Sequence, residues 1–160
     1  MAVPGISTIG ALLGYAVETS AGVKPTSFKL LTRINAIGGI SNDVETIDAS
    51  ALEDEFERTI AGRGSSGGTF PVTINLTDDT LTEWETLITA YKEAKASGKQ
   101  MWFETYLKDL KKGIFVIAEP PTVIPAPELA QNGLLTLEMN LTINEYKGFD
   151  TAIKPTSSGL

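Results

Sequence analysis

Apolar positions in this 160-residue chain recur with a period of two along most of its length, and with a period of 3.6 over one stretch. From Thr69 to Leu76, the residues Phe70, Val72, Ile74 and Leu76 share one face while Thr73 and Asn75 share the other. The alternation is cleanest from Leu135 to Ile143, where Leu135, Leu137, Met139, Leu141 and Ile143 oppose Thr136, Glu138, Asn140 and Thr142. Both segments read as strands with one buried face. Pro71 lacks an N–H, which suggests an edge or the start of pairing. Further strands are expected at Tyr15–Glu18, from Phe28 to about Ile37, at Gln100–Leu107 and at Gly113–Ala118. Gly38-Gly39 and Ser41-Asn42-Asp43 punctuate the chain, so Val44–Ile47 is expected to return as the hairpin partner of the 28–37 strand.

The helical stretch covers about residues 81–97. Leu81, Trp84, Leu87, Ile88 and Tyr91 form one stripe, Thr80 and Glu83 have capping-box spacing, and Gly98 supplies the stop. One helix among many strands predicts a mainly β domain, with that helix laid on a sheet. Between Val44 and Leu76 lies an acidic, mixed-pattern segment that runs into a Gly/Ser tract, so residues 49–68 are expected to form a long polar loop. Residues 1–13 and 147–160 lack periodicity and read as N-terminal and C-terminal arms of a single domain spanning 1–160.

Composition narrows the chemistry. There is no Cys and no His, which removes disulfides, thiolates, most zinc sites and the commonest general base. The net charge of −7 disfavours tight nucleic-acid binding, which needs clustered Lys and Arg. The N-terminus has no Lys or Arg before Lys24 and is broken by Pro4, Gly5, Gly10 and Gly14, so no secretory leader is expected. No run of 18 apolar residues is present, so no membrane span is expected and assembly in the cytoplasm follows.

The motifs are weak. Gly62-Arg63-Gly64-Ser65-Ser66-Gly67 fits G-x-G-x-x-G, but a strand follows where a phosphate site needs a helix N-terminus. Asn75-Leu76-Thr77 and Asn140-Leu141-Thr142 are strand residues rather than glycosylation acceptors. The prolines from Pro120 to Pro127 make a stiff surface connection. Asp48, Glu53, Asp54, Glu55 and Glu57 lack calcium-loop spacing. Two carboxylates suffice for a glycosidase, but such pairs lie in clefts lined with exposed aromatics, and several of the few aromatics here belong to the helix and strands. No catalytic, metal or cofactor residue is assigned. A large loop without reactive groups points instead to contact with another chain.

Taken in order, GYAVETSAGVKPTSF, VETIDASALEDEFERTIAG, GGTFPVTINLT, TEWETLITAYKEAKASGKQMWFE and LLTLEMNLTINEYKGFDTA resemble the major tail tube proteins of long-tailed (siphovirus-type) bacteriophages over about residues 6–152. The resemblance implies a β-sandwich or barrel-like fold with one flanking helix. It implies hexameric rings stacked into a hollow tube that conducts DNA into the host, within a virion assembled in the bacterial cytoplasm. It further implies a tape measure protein, a tail terminator and distal tail or baseplate proteins as partners, with DNA passing unbound. On this reading the 49–68 loop, with Glu57, Arg58, Arg63, Ser65 and Ser66, reaches a neighbouring subunit, and the arms contribute to contacts between rings. The lumen candidates are Asp43, Glu45, Asp48, Glu138 and Asn140, although ordinary solvent-facing strand positions would read the same way. A related secretion-system tube protein and a monomeric β-sandwich binding module are the alternatives.

Overall fold

The computed structural model describes residues 4–65 and 68–157. Among them are nine strands and one helix. The strands are β1 (Leu12–Val17), β2 (Lys29–Leu31), β3 (Ile34–Ile37), β4 (Asp43–Asp48), β5 (Thr59–Ser65), β6 (Thr69–Asn75), β7 (Met101–Tyr106), β8 (Lys112–Glu119) and β9 (Thr136–Thr151), and helix α1 (Asp78–Ala96) follows β6. Seven strands form one antiparallel sheet in the order β2-β1-β7-β8-β9-β6-β3, and β4 and β5 form a separate two-stranded sheet.

The sheet order makes the architecture barrel-like. Its two edge strands, β2 and β3, are consecutive pieces of one extended segment, with only Thr32 and Arg33 between them. The sheet must therefore curl to bring its two edge strands toward one another at this joint. At the joint Arg33 takes a left-handed conformation, φ 55°. Glu83 of α1 clamps it, accepting hydrogen bonds from the Thr32 amide (2.6 Å) and hydroxyl (3.0 Å). The single strand expected at 28–37 is real in direction but broken there, so that β2 pairs β1 and β3 pairs β6.

The inward face carries the core: Leu13, Tyr15 and Leu31 with Phe70, Val72 and Ile74, Met101 and Phe103, Val116 and Ala118, and Leu137, Met139, Leu141 and Ile143. Helix α1 adds Trp84, Leu87, Ile88 and Tyr91 to the same cluster. Burying such side chains stabilises by roughly 1.5–3 kcal/mol each. The helix starts one turn before the expected position. Thr77 is the N-cap, and Thr80 returns the capping-box bond with its hydroxyl. This frees Glu83 from the predicted box for the β2–β3 joint. Gly98, at φ 74°, ends the helix as expected.

Strand β9 runs eight residues past the expected end at Ile143. Its pairing with β8 slips twice, leaving Asn144 and Lys147 as extra residues, with Gly148 at φ 77°. Each bulge shifts the inward phase, so Tyr146 rather than Glu145 packs on the core. Residues 147–151 are therefore strand and not arm. Residues 152–157 fold back on their own barrel, and the remainder of the expected C-terminal arm, 158–160, lies outside the described residues. Pro155 is buried, the Leu30 amide donates to the Thr156 carbonyl, the Thr156 amide donates to Phe28, and Ile153 covers an outer cluster of Phe28, Trp102, Phe115 and Ile117. At the other terminus Leu12 and Leu13 belong to β1, and Leu13 is fully buried, so the N-terminal arm is shorter than expected.

Candidate assembly interface

The β4–β5 hairpin is set apart from the rest of the molecule. The segment expected as a loop at 49–68 contains a strand, β5, and that strand pairs β4 in antiparallel register from Asp43↔Ser65 to Asp48↔Thr59. Val44–Ile47 therefore pairs forward with β5 and not back with the 28–37 segment. Neither β4 nor β5 joins the barrel sheet, and every residue of β4 is exposed. β5 has weak intrinsic strand character, TIAGRGS, with two glycines and no alternation. Its pairing supplies what propensity does not. Gly62 leaves room for Ile47, whose Cδ1 would lie 3.3 Å from an added Cβ.

The tip is organised internally. Asp48 accepts the Ser50 amide at 2.9 Å, which holds its carboxyl below the usual range. Asp54 accepts the Ala51 amide and pairs with Arg58 Nε at 2.9 Å, and the Ser50 hydroxyl accepts the Arg58 amide. A two-stranded hairpin alone is marginal in water. This one nevertheless exposes apolar side chains: Val44, Ile47 and Ile60 on the strands, Phe56 (81% exposed) and Leu52 (fully exposed) at the tip. These side chains make the hairpin a candidate contact surface.

Of the residues expected to reach a neighbour, Glu57 and Arg58 lie at the tip and Arg63 and Ser65 on β5, all exposed, while Ser66 lies outside the described residues. Arg58 already serves Asp54 within the hairpin. The five lumen candidates fall into two separate groups. Asp43, Glu45 and Asp48 are on β4 of the hairpin, whereas Glu138 and Asn140 are on the outward face of β9, opposite Thr73 and Pro71 of β6. That β6–β9 face is polar and nearly uncharged, with Thr69, Asn75, Thr136 and Thr142 completing it around the single carboxylate of Glu138.

Sequence reasoning passed over a second exposed apolar segment. The connection between β8 and β9 presents Val123, Leu129 and Leu134 to solvent. The only signal was the recurrence of Val and Leu in a Pro-rich stretch. It joins the β8 and β9 ends that lie away from the hairpin, so both ends of the barrel carry exposed apolar chain.

Chemically reactive arrangements are sparse. Among the described residues no group of three or more His, Cys, Asp or Glu could hold a metal ion, and no helix is long and apolar enough to cross a membrane. Two carboxylates are buried. Glu18 is pushed up by burial, but the Trp102 indole (2.9 Å) and the Gln100 and Gly22 amides donate to it and leave it below its ordinary value. Glu104 is fully buried; burial raises its carboxyl to about 7 against the opposing pull of the Ile153 amide and Lys24. Its other oxygen, Oε1, has no hydrogen-bond partner. Both carboxylates tie the chain to itself, Glu104 beneath the C-terminal strap and Glu18 across β1 and β7.

No family model matches the chain, and no curated protein matches it in sequence. Solved structures share its fold. A chain from the tail of an empty gene transfer agent (GTA) particle, refined helically with C6 symmetry, superposes with a TM-score of 0.53 at 15% identity, covering 88% of this chain and 94% of that one. A chain from the virion of a native GTA particle superposes with a TM-score of 0.55 at 14% identity, covering 92% of this chain and 100% of that one. The fold, mainly β and barrel-like with one helix, is shared with these two chains of gene transfer agent particles.

Proposed function

We propose that this chain is the subunit of a tail tube. Identical copies close into six-membered rings, and the rings stack into a hollow conduit for DNA. The observation that carries the reading is the β4–β5 hairpin, a paired, apolar-studded element that touches none of its own barrel's strands through sheet pairing. Such an element is finished only by another chain. The shared fold with a tail chain solved under C6 symmetry supports six as the ring number. Exposed apolar segments at both ends of the barrel support stacking along an axis.

The role is structural and not enzymatic. The tube would sit in a virion tail, made in the host cytoplasm, with a tape measure protein inside during assembly and terminator and distal tail proteins at its ends. Six copies at −7 each give a ring of about −42 in formal charge, which discourages a DNA backbone from adhering. The β6–β9 outer face around Glu138 and Asn140 suits a bore wall, because it offers DNA polar groups and no cation.

Size-exclusion chromatography with negative-stain microscopy tests the assembly. Rings or tubes are expected, and a clean 17 kDa monomer at every concentration would favour a solitary binding module. Placing Lys at Glu138 and Asn140 tests the conduit. Tubes should still form while DNA ejection slows or arrests, and unchanged ejection kinetics would remove these residues from the bore.

A further inference from the structure

A hairpin that a neighbour completes needs a receiving surface on that neighbour, and the barrel carries one. The end bounded by Leu12, Tyr106 and Lys112 opens into a cavity of about 740 Å³, where Ile34, Ile37, Ile40, Leu107, Ile114 and Phe149 line the wall beside the polar Thr8, Asn35 and Thr105. No residue of the hairpin 43–65 lines it. Its size is in the range that natural sockets use for large apolar groups. Phe149, at its rim, is 56% exposed.

Charge selects the occupant. Residues 43–65 hold seven Asp or Glu against two Arg, and Glu53, Asp54, Glu55 and Glu57 surround Phe56 and Leu52 at the tip. The β7–β8 turn beside the cavity holds Lys108, Lys111 and Lys112 against Asp109 alone, and the Lys108 side chain lies along the cavity wall at Gly10. Lys154 flanks the same turn. An apolar tip ringed by carboxylates thus has its complement in an apolar socket flanked by lysines. The exposed β8–β9 connection at the other end is no rival, since residues 119–135 contain Glu119 and Glu128 and no Lys or Arg.

We propose that the hairpin tip of one copy enters this cavity on the next copy, with Phe56 and Leu52 leading and its carboxylates facing Lys108, Lys111 and Lys112. The inference rests on the tail tube reading and names its receiving surface. The hairpin root (Gly38–Ile40) lies at the cavity end of the barrel and contributes to the cavity wall. A heterologous contact closes into a ring when its repeated rotation closes, as the tail tube reading requires. The arrangement also buries the apolar side chains that the hairpin exposes in the isolated subunit.

The chain has no cysteine, so introduced thiols are unique reporters. The full chain carrying both Ala51→Cys at the tip and Thr8→Cys on the cavity wall, with Phe56 and Phe149 intact, is assembled, oxidised and run on a denaturing gel. A ladder from dimer to closed ring is expected from the double variant and none from either single variant. Assembled material without a ladder, or dimers from Ala51→Cys alone, overturns the docking while the tube stands. A chain that stays monomeric overturns both. As an independent arm, Glu55→Lys with Glu57→Lys should slow assembly roughly tenfold, and adding Lys108→Glu with Lys111→Glu should restore it. Failure of the reversal to rescue assembly contradicts the pairing.

Discussion

The barrel and the hairpin are built from the same strand geometry and obey opposite rules. In the barrel, β6 alternates buried Phe70, Val72 and Ile74 with more exposed partners, and β9 buries Leu137, Met139, Leu141 and Ile143 in the same rhythm. In the hairpin, β4 has paired backbone and no buried side chain, and its Val and Ile face solvent. The barrel's free energy is internal. The hairpin leaves apolar surface in water, which on the tail tube reading a second chain covers.

This contrast can be broken at either side. The largest effect is expected in the barrel. Phe103→Ala, at a fully buried position on β7, should cost about 3–5 kcal/mol in urea unfolding. A loss under about 1 kcal/mol would mean the inward face is not the core. Next comes the strap. A methyl on Gly14 would lie 2.8 Å from Pro155, so Gly14→Val should cost about 1–3 kcal/mol and expose residues 152–157 to proteolysis. An unchanged cleavage pattern would separate the strap from β1.

Glu104 gives a pH signature. Its folded-state value, about 7, lies above its ordinary one, so its contribution to stability is full below about pH 4.5 and is lost as pH rises through 7. Glu104→Gln should flatten this fall in thermal midpoint between pH 5 and 8, relative to the parent chain. Parallel curves for the two proteins would contradict the burial argument. The smallest effect on stability is expected in the hairpin: Phe56→Ala should leave unfolding within about 0.5 kcal/mol of the parent while impairing assembly. A large stability loss there would show that the tip supports its own barrel.

The barrel was largely legible in the sequence, because period-two burial is written into residues such as Val72 and Met139. What escaped was where pairing overrides pattern. Two bulges in β9 reset its phase at Asn144 and Lys147, so the strand looked finished at Ile143. β5 is held by β4 despite Gly62 and Gly64, so a strand looked like a loop. The helix began early because a Thr hydroxyl at Thr80 did what a carboxylate was expected to do. The interface candidates were legible only as composition. Glu57, Arg58, Arg63 and Ser65 were seen as loop residues, but the apolar partners that give the hairpin its meaning, Phe56 and Ile60, were not singled out.

Amide hydrogen exchange on unassembled and assembled protein tests the central claim most directly. The account predicts that amides and side chains of the hairpin are exposed in the single subunit and that exchange over residues 43–65 slows at least about tenfold on assembly, while β6 and β7 stay equally protected in both states. Assembled material in which 43–65 exchanges as fast as in the free subunit would contradict it.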